Sequence, residues 1–252
     1  MVKILISGMF GHMGRNVYDL AKDDPDIECA GGVDLREGDV DGVPVHAGFD
    51  GVKEKADVVI DFSSAANLDN VLHYAKKTGA GVVLATTGYT PAQIEEITQA
   101  AKHTAVFRTA NLSIGINLLQ KLVAEAAAFL GDAFDAEIIE KHHNLKKDAP
   151  SGTALMLADS INQACGNQKE YVYGREGIVG ARKKQELGIH AVRGGTIVGE
   201  HEVMFAGEDE IITISHSARS KRVFAAGALR AAKFLKGKPA GLYDMKDVLS
   251  ES

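Results

Sequence analysis

The chain of 252 residues has few of the residues on which several protein classes depend. It contains two cysteines, five prolines and no tryptophan, and aromatic residues make up 6%. Cys29 and Cys165 lie in segments predicted as a strand and a helix, without the close spacing or histidine partners that a structural zinc site needs. We therefore expect reduced thiols and a cytoplasmic protein rather than a disulfide scaffold.

An excess of positive charge and long apolar runs are also missing. The formal net charge is -6, so no basic field attracts a phosphate backbone or an anionic membrane surface. The opening apolar run Val2–Ser7 is too short for a signal peptide, and no later run predicts a membrane span. Nucleic acid and membranes are therefore not expected as partners. The hydrophobic content of 45% suits one large globular domain or two modest ones.

Short apolar runs alternate with helical patterns in the first part of the chain. Strands are predicted at 2–7, 27–33, 58–62, 81–85 and 105–108, and helices at about 12–22, 66–78 and 91–103. The strands are near-continuous runs of Val, Ile and Leu, which is typical of strands buried on both faces. This rhythm predicts an α/β fold with a Rossmann-type, doubly wound parallel sheet.

The pattern then changes. Helices are predicted at 114–130, 152–165 and 221–235, strands at 136–140, 188–193, 196–206 and 210–217, and polar connections at 141–150 and 166–187. The strand and turn spacing predicts a second α+β domain with a mixed or antiparallel sheet. We expect a dinucleotide-binding domain at 1–112, completed by 217–252, and a second domain at 113–216.

A glycine-rich turn joins the first predicted strand to the first predicted helix. Its sequence is Gly8-Met9-Phe10-Gly11-His12-Met13-Gly14. Gly8 permits a tight turn, Gly11 lets the backbone approach a pyrophosphate at the helix N-terminus, and Gly14 allows close packing of helix on strand. The spacing is GxxGxxG rather than GxGxxG, and such glycines also occur for steric reasons alone. We expect a dinucleotide site that includes Phe10, His12 and Met13.

An acidic residue ends the second predicted strand. Asp34 can accept hydrogen bonds from the adenosine ribose hydroxyls, and Arg36 can neutralise a 2'-phosphate. The alternative for Asp34 is an ordinary surface turn. We expect NADH, NADPH or both as the cofactor.

Small polar residues follow the fourth and fifth predicted strands, where ligands collect in open parallel sheets. Ordinary turn chemistry is the alternative interpretation. These candidate nicotinamide contacts are Ala85, Thr86, Thr87, Thr109, Ala110, Asn111 and Leu112.

The segment Glu140–Thr153 carries the densest chemistry in the chain. Its sequence is EKHHNLKKDAPSGT, with adjacent histidines and Lys146 ahead of a helix that opens with Ser151-Gly152-Thr153. A helix N-terminus and a nearby lysine bind carboxylates well. Adjacent histidines can also bind zinc, but no acidic or cysteine ligand lies at a usual spacing, so no metal is expected. The segment predicts a site for a small dicarboxylate.

This segment resembles the dihydrodipicolinate reductase signature E-x-H-H-x-x-K-x-D-A-P-S-G-T-A. The resemblance extends over nearly the whole chain and includes the glycine turn, Thr86-Thr87-Gly88, 110–115, 197–201 and 241–245. It implies hydride transfer from NAD(P)H to a cyclic dicarboxylate imine, or its hydroxylated precursor, to give tetrahydrodipicolinate in lysine and diaminopimelate biosynthesis. It also implies a homotetramer assembled through the second domain, which would bind the substrate as well.

The resemblance assigns roles to individual residues. His142 would be the acid/base residue and Lys146 the proton donor. The substrate-binding residues would be His143, Ser151, Gly152, Thr153 and Thr87. The chain departs from the family where His12 replaces a common arginine and where Leu35 stands in place of a basic residue frequent in NADP-using members.

Two other functions compete with this interpretation. Another Rossmann reductase of the aspartate pathway, such as a semialdehyde dehydrogenase, would need a nucleophilic cysteine at a catalytic turn. A nucleotide-sensing Rossmann module would need the glycine turn but not the histidine and lysine cluster.

Overall fold

The computed structural model describes residues 1–251, which form two compact units. The first unit contains residues 1–113 and the C-terminal segment from Lys221, and the second contains residues 114–220. The predicted domains, 1–112 with 217–252 and 113–216, have nearly the same limits. The functions assigned to the two domains remain predictions.

An eight-stranded sheet forms the centre of the first unit. Its strands are β1 (Val2–Ser7), β2 (Ile27–Val33), β3 (Gly38–Val40), β4 (Val43–His46), β5 (Val58–Asp61), β6 (Gly81–Leu84), β7 (Ala105–Arg108) and β13 (Gly241–Tyr243), in the spatial order β13-β7-β6-β5-β1-β2-β4-β3. All neighbouring strands are parallel except β3 and β4. The predicted Rossmann-type parallel sheet is confirmed.

Helices accompany this sheet. They are α1 (His12–Ala21), α2 (Leu68–Thr78), α3 (Pro91–Ala100), α6 (Arg222–Leu235) and α7 (Met245–Ser250). The central strands are largely apolar because both faces are covered, and Ile4, Leu5 and Ile6 are fully buried in succession. The start of α3 follows from its sequence: Thr90 and Gln93 form a capping box, with proline at the first helical position.

The order of the strands reverses beside β1. The chain moves from β1 to β2 on one side and returns to β5 on the other. In open α/β sheets, ligands bind outside the carboxyl ends of strands at such a reversal. The turns after β1, β2 and β5 are therefore where a dinucleotide would be held.

A five-stranded mixed sheet forms the centre of the second unit. Its strands are β8 (Asp135–His142), β9 (Glu170–Tyr173), β10 (Glu186–Arg193), β11 (Gly199–Ala206) and β12 (Ile211–Ala218), in the order β12-β11-β8-β10-β9. The β8, β10 and β9 strands are parallel, whereas β11 runs antiparallel to β8 and β12. The prediction of a second domain with a mixed sheet is confirmed.

Two helices, α4 (Ile114–Leu130) and α5 (Gly152–Ala164), cover one face of this sheet. Ile138, Val203 and Phe205 point from the strands into a core shared with Val123 and Leu157 of the helices. By length and composition alone, residues 114–133 could cross a membrane. One side of this helix, with Ile116, Leu119 and Val123, packs into the core of the unit.

The structure differs from the sequence-based prediction at several short elements. The strands β3, β4, β9 and β13 and the helix α7 were not predicted; each has six residues or fewer. A more important error concerns the predicted polar loop 141–150. Lys141 and His142 belong to β8, because β10 and β11 continue to pair with that strand up to Arg193 and Glu200.

Candidate active site

The glycine turn between β1 and α1 is built for close approach of backbone atoms. Gly8 has a φ of 83°, in the left-handed region that favours glycine. A Cβ on Gly14 would lie 2.1 Å from the Gly8 carbonyl oxygen, and one on Gly11 would lie 3.1 Å from the same atom. The start of α1 can therefore lie this close to the end of β1 only because residues 11 and 14 are glycines without side chains. These residues fit a pyrophosphate at a helix N-terminus.

A cavity of about 510 Å³ lies beside this turn. It is bounded by the ends of β1, β2 and β5, and its lining includes the predicted residues Gly8, Gly11 and Asp34. Phe62, Ser63 and other residues after β5 also line the cavity but are not predicted from the sequence. The same rule that selected Thr86, a small polar residue after a parallel strand, would have selected Ser63.

Asp34 lies at the edge of this cavity, at the end of β2. Its two carboxylate oxygens accept hydrogen bonds from the backbone amides of Phe10 (2.7 Å) and Leu35 (2.8 Å). The Arg36 guanidinium lies 5.1 Å from the centre of the Phe10 ring, within the range of a cation–π contact. Asp34 and Arg36 therefore occupy one turn against the glycine loop. His12, at the first position of α1, contacts Asn16 across an exposed turn.

The predicted nicotinamide contacts lie on the turns after β6 and β7. Thr86 donates a hydrogen bond of 2.9 Å to Asp61, a fully buried carboxylate at the end of β5. Thr87 is exposed. After β7, the Thr109 hydroxyl donates to the Asn111 carbonyl, and the Asn111 side chain accepts from the Ser113 amide. Ala110 is exposed and Leu112 is buried in the same turn.

The core-facing side of β8 changes from apolar to polar along the strand. Side chains two positions apart share a face, so Ile138, Glu140 and His142 point the same way. Ile138 joins the apolar core, whereas the other two continue to the end of the strand as buried polar groups. Arg193 on β10 pairs in register with His142, and His201 on β11 pairs with Glu140.

Glu140 is the centre of the resulting network. Arg193 donates two hydrogen bonds of 2.7 Å to its carboxylate, the Ser151 amide donates one of 3.0 Å, and His142 Nδ1 lies 2.6 Å away. Burial raises the pKa of Glu140, but the donors outweigh burial and lower it below its usual range. The carboxylate is therefore ionised, and His142 Nδ1 carries the hydrogen that it accepts.

His201 packs against His142 with ring centres 5.2 Å apart. Its Nε2 lies 3.0 Å from the Ser151 hydroxyl, which also accepts a hydrogen bond from the Ala154 amide and so caps α5. Burial lowers the pKa of His201 to about 4, with a smaller contribution from His142. His201 is therefore neutral near pH 7, and its contact with Ser151 connects the start of β11 to the start of α5.

The loop from β8 to α5 brings the other predicted residues of this unit together. Lys146 forms a 2.9 Å ion pair with Asp148, and its amide donates to the His143 carbonyl. Gly152 is exposed, with open space where a side chain would be. Ser151 is buried, and both its amide and its hydroxyl are used within the unit. Among residues 1–251, no group of three or more histidine, cysteine or acidic side chains is arranged to hold a metal ion.

The predicted residues thus fall on two units. Gly8, Asp34, Thr86, Thr87 and their neighbours belong to the first, and the residues 142–153 belong to the second. The sequence analysis assigned no site role to Glu140, Arg193 or His201. Only the strand register brings Arg193 to the carboxylate, so no local pattern could have revealed it.

Comparison with known proteins shows which family has this arrangement. The family model described as "Dihydrodipicolinate reductase, N-terminus" matches residues 2–112, and the model described as "Dihydrodipicolinate reductase, C-terminus" matches residues 115–249. The chain belongs to the dihydrodipicolinate reductase family. It is accordingly an NAD(P)H-dependent oxidoreductase of lysine and diaminopimelate biosynthesis, as predicted, and the two competing functions are not favoured.

Relatives match over the full length. A 4-hydroxy-tetrahydrodipicolinate reductase of Caldanaerobacter subterraneus subsp. tengcongensis is 53% identical, covering 100% of this chain and 99% of the relative. One from Clostridium tetani is 45% identical, covering 99% and 98%. A solved structure described as dipicolinate-bound dihydrodipicolinate reductase from Paenisporosarcina sp. TG-14 has a TM-score of 0.81 at 25% identity, covering 97% of each chain. A probable dehydrogenase from Thermotoga maritima, at 13% identity and a TM-score of 0.62, shares the fold.

Proposed function

We propose that this chain reduces the cyclic imine dicarboxylate, or its hydroxylated precursor, to tetrahydrodipicolinate, with His142 and Lys146 as its proton-transfer residues. The observation that carries the residue roles is the segment 142–153, in which His142 ends β8 and Lys146 lies on the loop that follows, ahead of the α5 N-terminus. A buried carboxylate holds His142 at the end of this strand. Such an arrangement suits proton transfer next to a bound anion.

The first unit supplies the groups that would hold the cofactor. The glycine turn fits the pyrophosphate, Asp34 the adenosine ribose, and the turns after β6 and β7 the nicotinamide. When bound, NAD(P)H supplies the hydride. The role of the protein is then to orient the ring through backbone and hydroxyl groups of 85–87 and 109–112, without crowding it.

The second unit supplies the groups that would bind the substrate carboxylates. Gly152 presents an open backbone at the start of α5, where the helix dipole favours an anion. Thr153, His143 and Lys146 add directed donors and charge from the same loop. Ser151 contributes by fixing the helix start, because its own polar atoms are engaged. Thr87, from the first unit, is the remaining candidate.

Protons complete the reduction. Each hydride that NAD(P)H would supply needs one proton to complete the reduction, and Lys146 would donate that proton to the conjugated imine. From the hydroxylated precursor the hydroxyl would first leave as water, with one proton gained by the oxygen and one lost by the neighbouring carbon. His142 acts as the acid/base residue through Nε2, since Nδ1 donates to Glu140. General acid–base catalysis of this kind contributes about two to four powers of ten in rate.

Competition by 2,6-pyridinedicarboxylate, a planar dicarboxylate, tests the substrate site. The Paenisporosarcina structure is described as dipicolinate-bound, so we expect the compound to compete with substrate here. The inhibition constant should rise at least tenfold in a Lys146→Ala, Thr153→Val double variant. Lys147→Ala, an exposed neighbour on the same loop, is the matched control. Unchanged competition in the double variant would remove this site from consideration.

We also propose a homotetramer assembled through the open face of the second sheet. This face lies opposite α4 and α5 and carries Ile139, Val192, Met204 and Ile211, of which Val192 and Ile211 are 46% and 64% exposed. Exposed apolar groups on one sheet face favour a protein interface. Light scattering should report the mass of four chains, and Val192→Glu should lower it. A wild-type monomer would contradict the proposal.

We place the protein in the cytoplasm, where the reduced state suits the two free cysteines Cys29 and Cys165. Fractionation of cells should recover it with the soluble contents. Recovery with membranes would indicate that α4 has another role.

A further inference from the structure

We propose that Glu140 and Arg193 form a positioning pair, which determines the nitrogen of His142 that carries the hydrogen. This inference rests on the proposed function of His142. It adds to the site two residues that would act through His142 and the loop after it.

The hydrogen bonds around the Glu140 carboxylate hold it in one orientation. Each of its oxygens receives two donors: Oε1 from the Ser151 amide and one Arg193 nitrogen, Oε2 from His142 and the other Arg193 nitrogen. The side chain is fully buried. Rotation of the carboxylate would break the two-pronged arginine contact, which is among the strong hydrogen-bond geometries in proteins. The carboxylate therefore acts as a fixed acceptor.

A fixed acceptor determines the tautomer of His142. Because an ionised carboxylate only accepts, the hydrogen between Glu140 and His142 resides on Nδ1, and Nε2 is left to exchange a proton. A Cβ on residue 199 would lie 3.1 Å from that Nε2. Gly199 therefore leaves space next to the exchanging nitrogen.

The same arginine also reaches the segment that carries Lys146. Arg193 donates a hydrogen bond of 2.8 Å to the Asp148 carbonyl, and the Asp148 carboxylate pairs with Lys146 at 2.9 Å. Both candidate proton-transfer side chains are thus connected to one guanidinium. Loss of Arg193 would release the loop after β8 as well as the carboxylate on it.

Charged and titratable groups near His142 come from every element that packs near it. Glu140 is on its own strand, Arg193 on β10, the neutral His201 on β11, and Lys146 on the following loop. Glu140 brings a negative charge and Arg193 a positive charge to this ring, so loss of one or the other changes the electrostatics in opposite senses. Removal of the Glu140 charge and removal of the Arg193 charge should therefore move the pH profile of kcat/KM in opposite directions. Loss of structure alone would not do this.

The test compares Glu140→Gln and Arg193→Gln with wild type in the full-length protein. We expect kcat to fall by about 10- to 100-fold in each with KM within about threefold, as for residues that orient a reacting group. The pH profile of kcat/KM should move to lower pH in Glu140→Gln and to higher pH in Arg193→Gln. Nitrogen-15 NMR should show the Nδ1–H tautomer of His142 in wild type and a mixture in Glu140→Gln.

Glu137→Gln is the matched control. Glu137 lies on the same strand and is also held by a two-pronged arginine, Arg175, and by a histidine, His190, but on the opposite face. Its loss should destabilise the protein without moving the pH profile. If Glu140→Gln fails to fold, Glu140→Asp takes its place, because it keeps the charge on a shorter side chain. Its pH profile of kcat/KM should stay near that of wild type, whereas its kcat should be reduced.

Two results would overturn the proposal. The first is that the pH profiles of kcat/KM of both variants move in the same direction or do not move. The second is an unchanged His142 tautomer in Glu140→Gln. Failure of the proposed function is distinguishable, because it would leave the wild type without turnover. The NMR comparison would still decide whether Glu140 sets the tautomer.

Discussion

Glu137 should make the second unit sensitive to acid. Its carboxylate is buried on β8, where Arg175 donates two hydrogen bonds, Arg182 one of 2.9 Å, and His190 lies 2.7 Å away. Gly188 on β10 leaves room for it, because a Cβ there would overlap the carboxylate. These contacts tie the segment after β9 to the sheet. Protonation of the Glu137 carboxylate should therefore weaken these contacts and lower the stability of the unit.

The magnitude follows from the pKa of Glu137. Burial raises this pKa, but the hydrogen bonds from Arg175, Arg182 and His190 outweigh burial and lower it from 4.5 to about 2. Since one pKa unit corresponds to about 1.4 kcal/mol, the ionised carboxylate contributes about 3 kcal/mol to the free energy of unfolding. A lowered pKa places this contribution above about pH 4.5. It is lost as the pH falls from 4.5 towards 2.

Urea unfolding of wild type and Glu137→Gln at several pH values measures this contribution. At pH 7 we expect the variant to be less stable by about 3 kcal/mol. By pH 3 the difference should have fallen by about half, because the unfolded wild type takes up a proton that the folded protein resists. If the difference in the free energy of unfolding stays constant between pH 7 and pH 3, the Glu137 carboxylate does not make this pH-dependent contribution.

Three further predictions concern other parts of the chain. Gly14→Ala should weaken NADH binding at least tenfold and lower the melting temperature, because its Cβ would lie 2.1 Å from a carbonyl oxygen; Gly31→Ala, with no would-be contact under 3.4 Å, is the control in calorimetric titration. His201, whose pKa burial lowers from 6.5 to about 4, should cost the wild type stability as the pH falls through that window, since only the unfolded chain is protonated there; His201→Gln should flatten the dependence in thermal melts. NADH should serve at least as readily as NADPH, with Asp34→Ala relaxing the preference towards NADPH and Arg36→Ala weakening NADPH more than NADH. A wild-type preference for NADPH above about tenfold in kcat/KM, or about 1.4 kcal/mol, would show that another cation governs the pocket.

The first unit was predictable because its signals are local. The bounds of β1, β2 and β7 agree with those predicted from mainly apolar runs, and α3 begins at the Thr90-Pro91 pair. Strands buried on both faces need apolar residues at every position, so their sequence stands out. Short strands such as β3 and β4 depend on pairing with each other and carry no such run.

The second unit was harder to predict because its polar residues lie inside. The end of β8 reads as a loop from Lys141 onwards, because the residues there are polar, although Glu140 and His142 are buried. Their partner Arg193 is 53 residues from Glu140 in sequence and arrives only through parallel pairing of β10 with β8. Long-range register of this kind leaves no local pattern. The resemblance identified the residues of the loop, but not the network that holds them.

Single-turnover oxidation of bound NADH or NADPH on mixing with the cyclic substrate decides whether His142 and Lys146 transfer the protons of the family reduction. Wild type should oxidise the cofactor only when substrate is present. His142→Ala and Lys146→Ala should bind the cofactor as wild type does but react about two to four powers of ten more slowly, whereas Lys147→Ala should react normally. Wild-type single-turnover rates in both His142→Ala and Lys146→Ala would contradict the account.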